Sequence, residues 1–542
     1  MEKTSFSEKI LATVAQAEIP VNVGRKQVLR AAGVVGLMTL TSRVLGMIRD
    51  IVSAKSFGIQ WQWDAFLYAF MLPNFARRIV GEGALSSAFI PVYSETLEKK
   101  GKAEAFRFAN VTATILAGSL AVFLLLAEGV IALLLRIDSL PPMLHLTIDL
   151  LQFLLPYLWF ISLFSLGMGI LNCHHHFFAS SLGPVTLDLV WIAAVLWLVP
   201  LAGPDMTRQV KWLTIAILFS GALQLSAELP QLYRLGFRLR WIWDHTYPGL
   251  RKTYHLLLPS IMAFGIVQIS MLIDSSLAFL IGPGANSSLW YGNRLMQFPL
   301  GVFAIAMGTA VLPTIARHAA KSEMKAAQKM LSFALRSVFL IILPSSVGLI
   351  VLREPIIRLL FERGEFDPVS TARSASVLMY YSIGLFAYSG EKILAAGFYA
   401  VQDPRTPVRL GLVCLGIDVV LNLILMVPMK ESGLALATAL AAIIEFVLLM
   451  IVFKRKTKDF PAGDILQAFF KILAASVVMG ILCFFLYHAS GQFFPGEQIS
   501  AQLVRVLGSI GLSALLYVGL CFMLQVHEIR EAADWVFKKK KV

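Results

Sequence analysis

Charge is scarce in this chain of 542 residues. Only 15% of its residues are charged and 57% are hydrophobic, whereas soluble globular domains hold about 25% charged and about 45–50% apolar residues. This composition excludes an ordinary soluble protein and indicates a chain that crosses a membrane many times.

Sequence signatures of catalysis and of metal binding are also missing. The chain contains no Walker A, GxSxG or HExxH pattern, and its longest loops are too short for a catalytic domain. The four cysteines follow no metal-binding spacing, and the three consecutive histidines 174–176 cannot share one face of a helix. We therefore expect free thiols, no metal site, no resident cofactor and no enzyme activity.

The net charge of +14 would suggest nucleic acid in a soluble protein, but here it indicates membrane topology. Residues 1–32 carry charges throughout and lack a clean apolar run, so they predict an N-terminal arm instead of a secretory signal. Lysine and arginine concentrate in this arm, in alternate loops and in the tail 526–542. Both termini are therefore predicted to be cytoplasmic, with no nucleic-acid partner.

About fourteen apolar segments are long enough to cross a bilayer, for which a helix needs about 20 residues. The predicted spans are 33–56, 64–94, 106–135, 148–172, 182–202, 211–233, 254–281, 288–316, 329–352, 374–400, 407–428, 432–453, 466–488 and 502–525. The alternating strands of a membrane barrel are not visible, so the fold class is an all-α polytopic membrane protein.

A weak internal repeat organises these spans. Asp50 is echoed by Asp274, and AFIPV at 88–92 is echoed by AVLPT at 310–314, both at an offset of about 224 residues. Because each repeat holds an even number of spans, the two copies are parallel. The predicted domains are an arm 1–32, an N-lobe 33–233, a C-lobe 254–453, two extra helices 466–525 and a basic tail 526–542.

Charged residues interrupt the first apolar segments. Such a residue at mid-bilayer costs about 2.5–3.5 kcal/mol on insertion scales, so it marks a functional pathway by default. Arginine suits a phosphate ligand because its planar guanidinium binds two oxygens at once. The candidate anion ligands are Arg43, Arg49, Arg77, Arg78 and Arg294, and the candidate acidic gating residues are Asp50, Asp64 and Glu82. The excess of arginine predicts a bound diphosphate; the alternative is a set of closed ion pairs that lock helices together.

The second lobe offers oxygen ligands. Asp418 and Asn422 lie one helical turn apart, and together with Asp274 and Thr438 they predict a site for a small coupling cation. The alternative is a hydrogen-bonded polar contact between helices, which membrane bundles use routinely.

Several longer motifs carry a family resemblance. The segments are SRVLGMIRD, WDAFLYAFMLPNFARRIVGEGALSSAFIPV, YGNRLMQFPLGVFAIAMGTAVLP, LFERGEFD and GFYAVQDPRTPV. With these motifs the chain resembles the MurJ (MviN) family of lipid II flippases, within the multidrug/oligosaccharidyl-lipid/polysaccharide exporter superfamily. Asn293 and Gln297 depart from the family pattern, in which many relatives carry an acid at the first position and some at the second.

The resemblance implies a function. A flippase of this family moves undecaprenyl-diphosphate-linked peptidoglycan precursor from the inner to the outer leaflet of the bacterial cytoplasmic membrane by alternating access. It implies that the five arginines line the central cavity, that Asp64 and Glu82 are essential acids, and that helices within 466–525 form a groove for the lipid tail. The expected partners are lipid II, membrane lipids and cell-wall synthesis proteins, and Na⁺, H⁺ or the membrane potential would drive transport.

Three alternatives remain open from sequence. The first is a drug/cation antiporter of the same superfamily, which would favour an acidic cavity, and the second is an exporter of another polyprenyl-linked oligosaccharide. The third is a scaffold that binds the lipid-linked precursor without transporting it.

Overall fold

The computed structural model describes residues 25–77, 85–176, 178, 182–321, 323–457, 459–496 and 498–529. Within these ranges the regular secondary structure is entirely helical, which confirms the predicted all-α class. The helices are α1 Arg25–Phe57, α2 Trp61–Ala76, α3 Leu85–Lys100, α4 Lys102–Leu134, α5 Pro142–Cys173, α6 Leu182–Leu201, α7 Met206–Arg234, α8 Pro248–Ile281, α9 Ala285–Pro299, α10 Ile305–Ala320, α11 Met324–Val351, α12 Arg353–Phe361, α13 Pro368–Ile383, α14 Leu385–Ala400, α15 Arg405–Met429, α16 Glu431–Thr457, α17 Ala462–Phe493 and α18 Ile499–Met523.

Nine helices of the described residues are long and apolar enough to cross a membrane. They are α4, α5, α6, α7, α11, α15, α16, α17 and α18. These nine helices confirm the prediction of a protein that spans the membrane several times.

Some predicted spans are divided. The segment 64–94 corresponds to α2 and α3, which flank residues 78–84 outside the described part of the chain. The segment 374–400 breaks at Gly384 between α13 and α14, where a Cβ would lie 2.9 Å from the Cα of Ala439. The missing side chain therefore lets α16 approach the backbone closely at this break.

The chain divides into two compact units. The first runs to Leu272 without the turn Gly58–Gln60, and the second holds that turn and the chain from Ile273 onward. The division falls within α8. The two lobes deduced from the repeat therefore stay a prediction.

An aromatic cluster fixes α1, α2 and α6 in the first unit. The ring of Trp63 stacks on Phe57 at 4.6 Å and on Phe66 at 4.8 Å between centroids. Trp191 of α6 meets Phe66 and Phe70 edge-on, at 5.4 Å and 5.2 Å. Stacked and edge-on pairs are the favoured aromatic geometries, so this cluster positions the charged residues of α1 and α2.

In the second unit, phenylalanines join α11, α14, α16 and α17. The ring of Phe339 lies edge-on to Phe446 at 6.0 Å and to Phe469 at 5.4 Å. Helix α17 therefore packs into this unit through Phe469, while Phe485 on the same helix is 63% exposed.

Candidate functional site

Arg49 of α1 is enclosed by two carboxylates. The residue is 8% exposed, and its Nε and one terminal nitrogen donate to Asp50 Oδ1 at 3.0 and 2.9 Å. The other terminal nitrogen donates to Asp188 Oδ1 of α6 at 2.9 Å. Opposite charges at hydrogen-bond distance compensate each other's loss of hydration, so the cluster fixes α1 against α6.

Trp191 completes the surroundings of Arg49. The guanidinium carbon of Arg49 lies 4.7 Å from the centroid of the indole ring, in cation–π geometry. The indole nitrogen donates to the hydroxyl of Ser53 at 3.0 Å, which holds the ring in place. Arg49 therefore has the geometry of a closed ion pair, which is the alternative to anion binding.

Arg43 lies two turns before Asp50 on the same helix. It is half-buried and makes no hydrogen bond or ion pair with any residue that the structure describes. At the end of α2, Arg77 is also half-buried and donates to Asn74 Oδ1 at 3.1 and 2.9 Å. Arg43 is thus a half-buried cation without a partner among the described residues, which makes it available to a ligand.

The other residues predicted in the first unit have different settings. Asp64 is fully buried in the first turn of α2, next to Trp63 of the aromatic cluster. Arg78 and Glu82 lie outside the described residues.

Arg294 belongs to the second unit. It lies half-buried on α9. The amide of Gln297 donates to Asn293 Oδ1 in the same helix. The two positions that depart from the family pattern therefore bond to each other.

The predicted oxygen ligands of the second unit do come together. Asn422 of α15 donates to Asp274 Oδ1 of α8 at 2.8 Å, and the hydroxyl of Thr438 on α16 lies beside Asp274 while it donates to the carbonyl oxygen of Leu434 at 2.9 Å. Asp418 interacts electrostatically with Asp274 and is 3% exposed. Two carboxylates, an amide and a hydroxyl suit a hard cation, and the same bonds also serve as a polar contact between three helices.

The consecutive histidines have separate partners. The ring of His174 bonds to the hydroxyl of Tyr93 at 3.0 Å, and the ring of His176 bonds to Gln231 at 2.9 Å. Burial, assisted by Lys102, lowers the pKa of His174. Among the described residues no group of three or more His, Cys, Asp or Glu could hold a metal ion.

Two acidic residues of the apolar helices, Asp188 and Glu391, were not predicted as site residues. Asp188 is separated from Arg49 by 139 positions, and neither spacing nor repeat links the two. Glu391 of α14 interacts electrostatically with Glu445 of α16. Both acids stand in strongly apolar segments, and that rarity is the only sequence signal that could have drawn attention to them.

Known proteins resemble the chain along almost all of its length. The family model described as Lipid II flippase MurJ matches residues 53–503. A "Probable lipid II flippase MurJ" of Vibrio cholerae is 32% identical over 522 residues, which cover 93% of this chain and 97% of the relative. The "Lipid II flippase MurJ" of Burkholderia cenocepacia is 29% identical and covers 91% and 97%.

Solved structures agree with these relatives. A structure titled "Lipid II flippase MurJ, inward closed conformation" aligns with a TM-score of 0.74 at 25% identity, over 90% of this chain and 99% of that one. An inward-facing multidrug resistance MATE transporter of the MOP superfamily aligns with a TM-score of 0.62 at 16% identity, over 77% and 95%. The latter likeness concerns the fold alone.

Proposed function

Because the chain belongs to the MurJ family of lipid II flippases, we propose that it moves lipid II across the bacterial cytoplasmic membrane, from the inner to the outer leaflet. The observation that carries this proposal is the family match across residues 53–503. We place both termini in the cytoplasm on the distribution of lysine and arginine.

Arginines of the first unit support the recognition of a diphosphate. Arg43 is half-buried without a carboxylate partner in the described chain, and Arg77, also half-buried, donates to Asn74 one turn earlier. A guanidinium in a poorly hydrated setting gains most from a bidentate phosphate contact. We assign the headgroup contact to Arg43, Arg77 and Arg78, with Arg294 as a further phosphate ligand.

Arg49 takes another role in this proposal. Its donors already point at Asp50 and Asp188, so a phosphate would have to displace a buried carboxylate. We therefore assign Arg49 to positioning α1 against α6. We keep Asp50, Asp64 and Glu82 as the acidic residues whose pairing changes during transport.

The polyprenyl tail requires an apolar path. Leaving it in water would cost about 0.8 kcal/mol for each CH₂ group. Helices α17 and α18 expose large apolar side chains, with Phe485 of α17 63% exposed and Leu515 of α18 71% exposed. We propose that the tail stays in lipid along α17 and α18 while the headgroup crosses.

Transport against a gradient needs a driving force. One elementary charge that crosses the membrane contributes about 2.3 kcal/mol per 100 mV. Asp274, Asp418, Asn422 and Thr438 offer oxygen ligands to a coupling cation, since their side chains gather around Asp274. We propose Na⁺ for this site, with the membrane potential as the second contribution.

Replacement of the flippase in living cells tests the proposal. A bacterium depleted of its own lipid II flippase should grow when it expresses this chain, and an impermeant label should then find lipid II in the outer leaflet. Growth without labelled outer-leaflet precursor would favour a scaffold. Normal insertion without growth or label, together with export of cationic drugs, would favour the antiporter alternative.

A further inference from the structure

Glu228 is an isolated, buried carboxyl in the first unit. It lies on α7 and is 0% exposed, and neither of its oxygens has a hydrogen-bond partner within the part of the chain that the structure describes. An ionised carboxylate in such a place would lose its hydration without compensation, a cost far above that of a neutral polar group. The side chain therefore fits this packing only as a neutral carboxylic acid.

Helix α5 packs directly against this carboxyl at Gly167. A Cβ on Gly167 would lie 2.3 Å from Oε2 of Glu228, and 3.4 Å from a methyl group of Leu232. Only a residue without a side chain allows the backbone of α5 to come so near. The glycine contact also leaves no room for a hydrated ion beside Oε2.

Several charged and titratable groups on the surrounding helices are engaged elsewhere. On α5, Asp149 pairs with Lys211 of α7 at 2.5 Å, and Cys173 lies 3.4 Å from the hydroxyl of Ser94. On α6, Asp188 pairs with Arg49. The remaining titratable groups of α5 and its C-terminal end are His145, Tyr157, His174 and His176, and those of α2 and its end are Asp64, Tyr68 and Arg77. Helix α7 itself also carries Arg208, Tyr233 and Arg234. Among the described residues none of these forms a hydrogen bond or ion pair with Glu228.

We propose that Glu228 is a proton-binding site, occupied while α5 and α7 pack at Gly167. Loss of the proton creates a charge that needs water or a cation, and the glycine contact excludes both. Ionisation of Glu228 and separation of α5 from α7 are therefore linked events, each favouring the other. In each transport cycle, the step that loosens the contact between α5 and α7 releases one proton, and the step that restores the contact binds one. This link to transport rests on the proposed flippase function.

Infrared spectroscopy of the purified full-length protein reads the proton directly. A protonated carboxyl and a carboxylate have separate stretching bands. At neutral pH, Glu228→Gln should remove a protonated-acid band and leave the carboxylate bands unchanged. The control Glu98→Gln removes an exposed carboxyl and should leave the protonated-acid bands unchanged. Loss of a carboxylate band in Glu228→Gln instead would overturn the proposal.

A second variant covers the case in which Glu228→Gln does not fold. Glu228→Asp keeps the acid and shortens its reach, so its protonated band should persist at a shifted frequency. The spectra of Glu228→Asp and the wild type are compared at the same pH. If the variant has one more carboxylate band and one fewer protonated-acid band, the glycine contact does not govern protonation and the proposal fails.

Flipping in vesicles with an imposed pH gradient tests the coupling. The wild type should change its rate when the gradient is reversed, and Glu228→Gln, which is permanently neutral, should lose that response. A wild type that flips but ignores the gradient, or a Glu228→Gln protein that responds like the wild type, would contradict proton coupling. A wild type that does not flip at all contradicts the proposed function, and the infrared result still decides whether Glu228 holds a proton.

Discussion

Arg49 and Asp188 are joined by a hydrogen bond of 2.9 Å although 139 positions separate them in the chain. This bond connects α1 to α6, and with Asp50 it leaves the guanidinium surrounded by carboxylates. The residue that looked from sequence like one of several equivalent phosphate ligands therefore differs from Arg43, which has no such partner in the described chain.

Breaking this ion pair should destabilise the first unit. Removing one partner of a buried pair typically costs about 3–5 kcal/mol, because the remaining charge stays buried without compensation. Arg49→Ala should therefore lower the thermal unfolding temperature of the purified protein markedly, and Arg49→Ala with Asp188→Asn should recover part of the loss. Equal stability of wild type and Arg49→Ala would show that the pair does not hold the helices.

Arg43 and Arg77 should be required for transport and not for folding. Arg43→Ala and Arg77→Ala should abolish flipping while both proteins insert and unfold at nearly the wild-type temperature, because both side chains are only half-buried. Arg→Lys should restore activity only partly, since lysine lacks the bidentate geometry. The matched control is Arg208→Ala, an exposed arginine near Asp205. Full complementation by both alanine variants would contradict the diphosphate assignment.

The oxygen cluster around Asp274 should make transport depend on Na⁺. Asp418→Asn and Asp274→Asn remove one negative charge each and should weaken the stimulation of flipping by Na⁺. Asn422→Ala should act in the same direction, because it removes a candidate ligand and the 2.8 Å bond to Asp274. Flipping that is indifferent to Na⁺ and unaffected by Asp418→Asn would leave the cluster as a polar contact between helices.

Acid should weaken the contact between α3 and α8. Lys252 of α8, together with Lys99, hydrogen-bonds the Glu95 carboxylate and lowers its pKa to about 2. The folded pKa lies below the ordinary value of about 4.3, so the bonds contribute stability above that value and lose it as the pH falls towards 2. Glu95→Gln should therefore be less stable than the wild type at neutral pH, with a difference that shrinks in acid. Thermal unfolding over this pH range measures the effect, and Glu98→Gln should show no such convergence.

Helix positions were largely predictable because apolar runs of about 20 residues leave few alternatives in lipid. The grouping of Asp274, Asp418, Asn422 and Thr438 was also predictable, since Asp418 and Asn422 share a helical face and oxygen ligands are rare in apolar spans.

Long-range pairing was not predictable. Nothing in the local pattern links Asp188 to Arg49, and the break at Gly384 depends on Ala439 of another helix. Glu228 carries no motif or spacing signal, because its isolation arises from the approach of Gly167 in a different helix. These features depend on tertiary packing, which composition and periodicity do not encode.

Purified protein in vesicles that contain fluorescent lipid II gives the most direct test of the central claim. An impermeant quencher should bleach only the outer-leaflet label in protein-free vesicles, and it should bleach the inner-leaflet label as well when the wild-type protein is present. In vesicles that contain the Arg43→Ala protein, the quencher should bleach only the outer-leaflet label, as in protein-free vesicles. Identical bleaching with and without correctly inserted wild-type protein would contradict the conclusion that this chain flips lipid II.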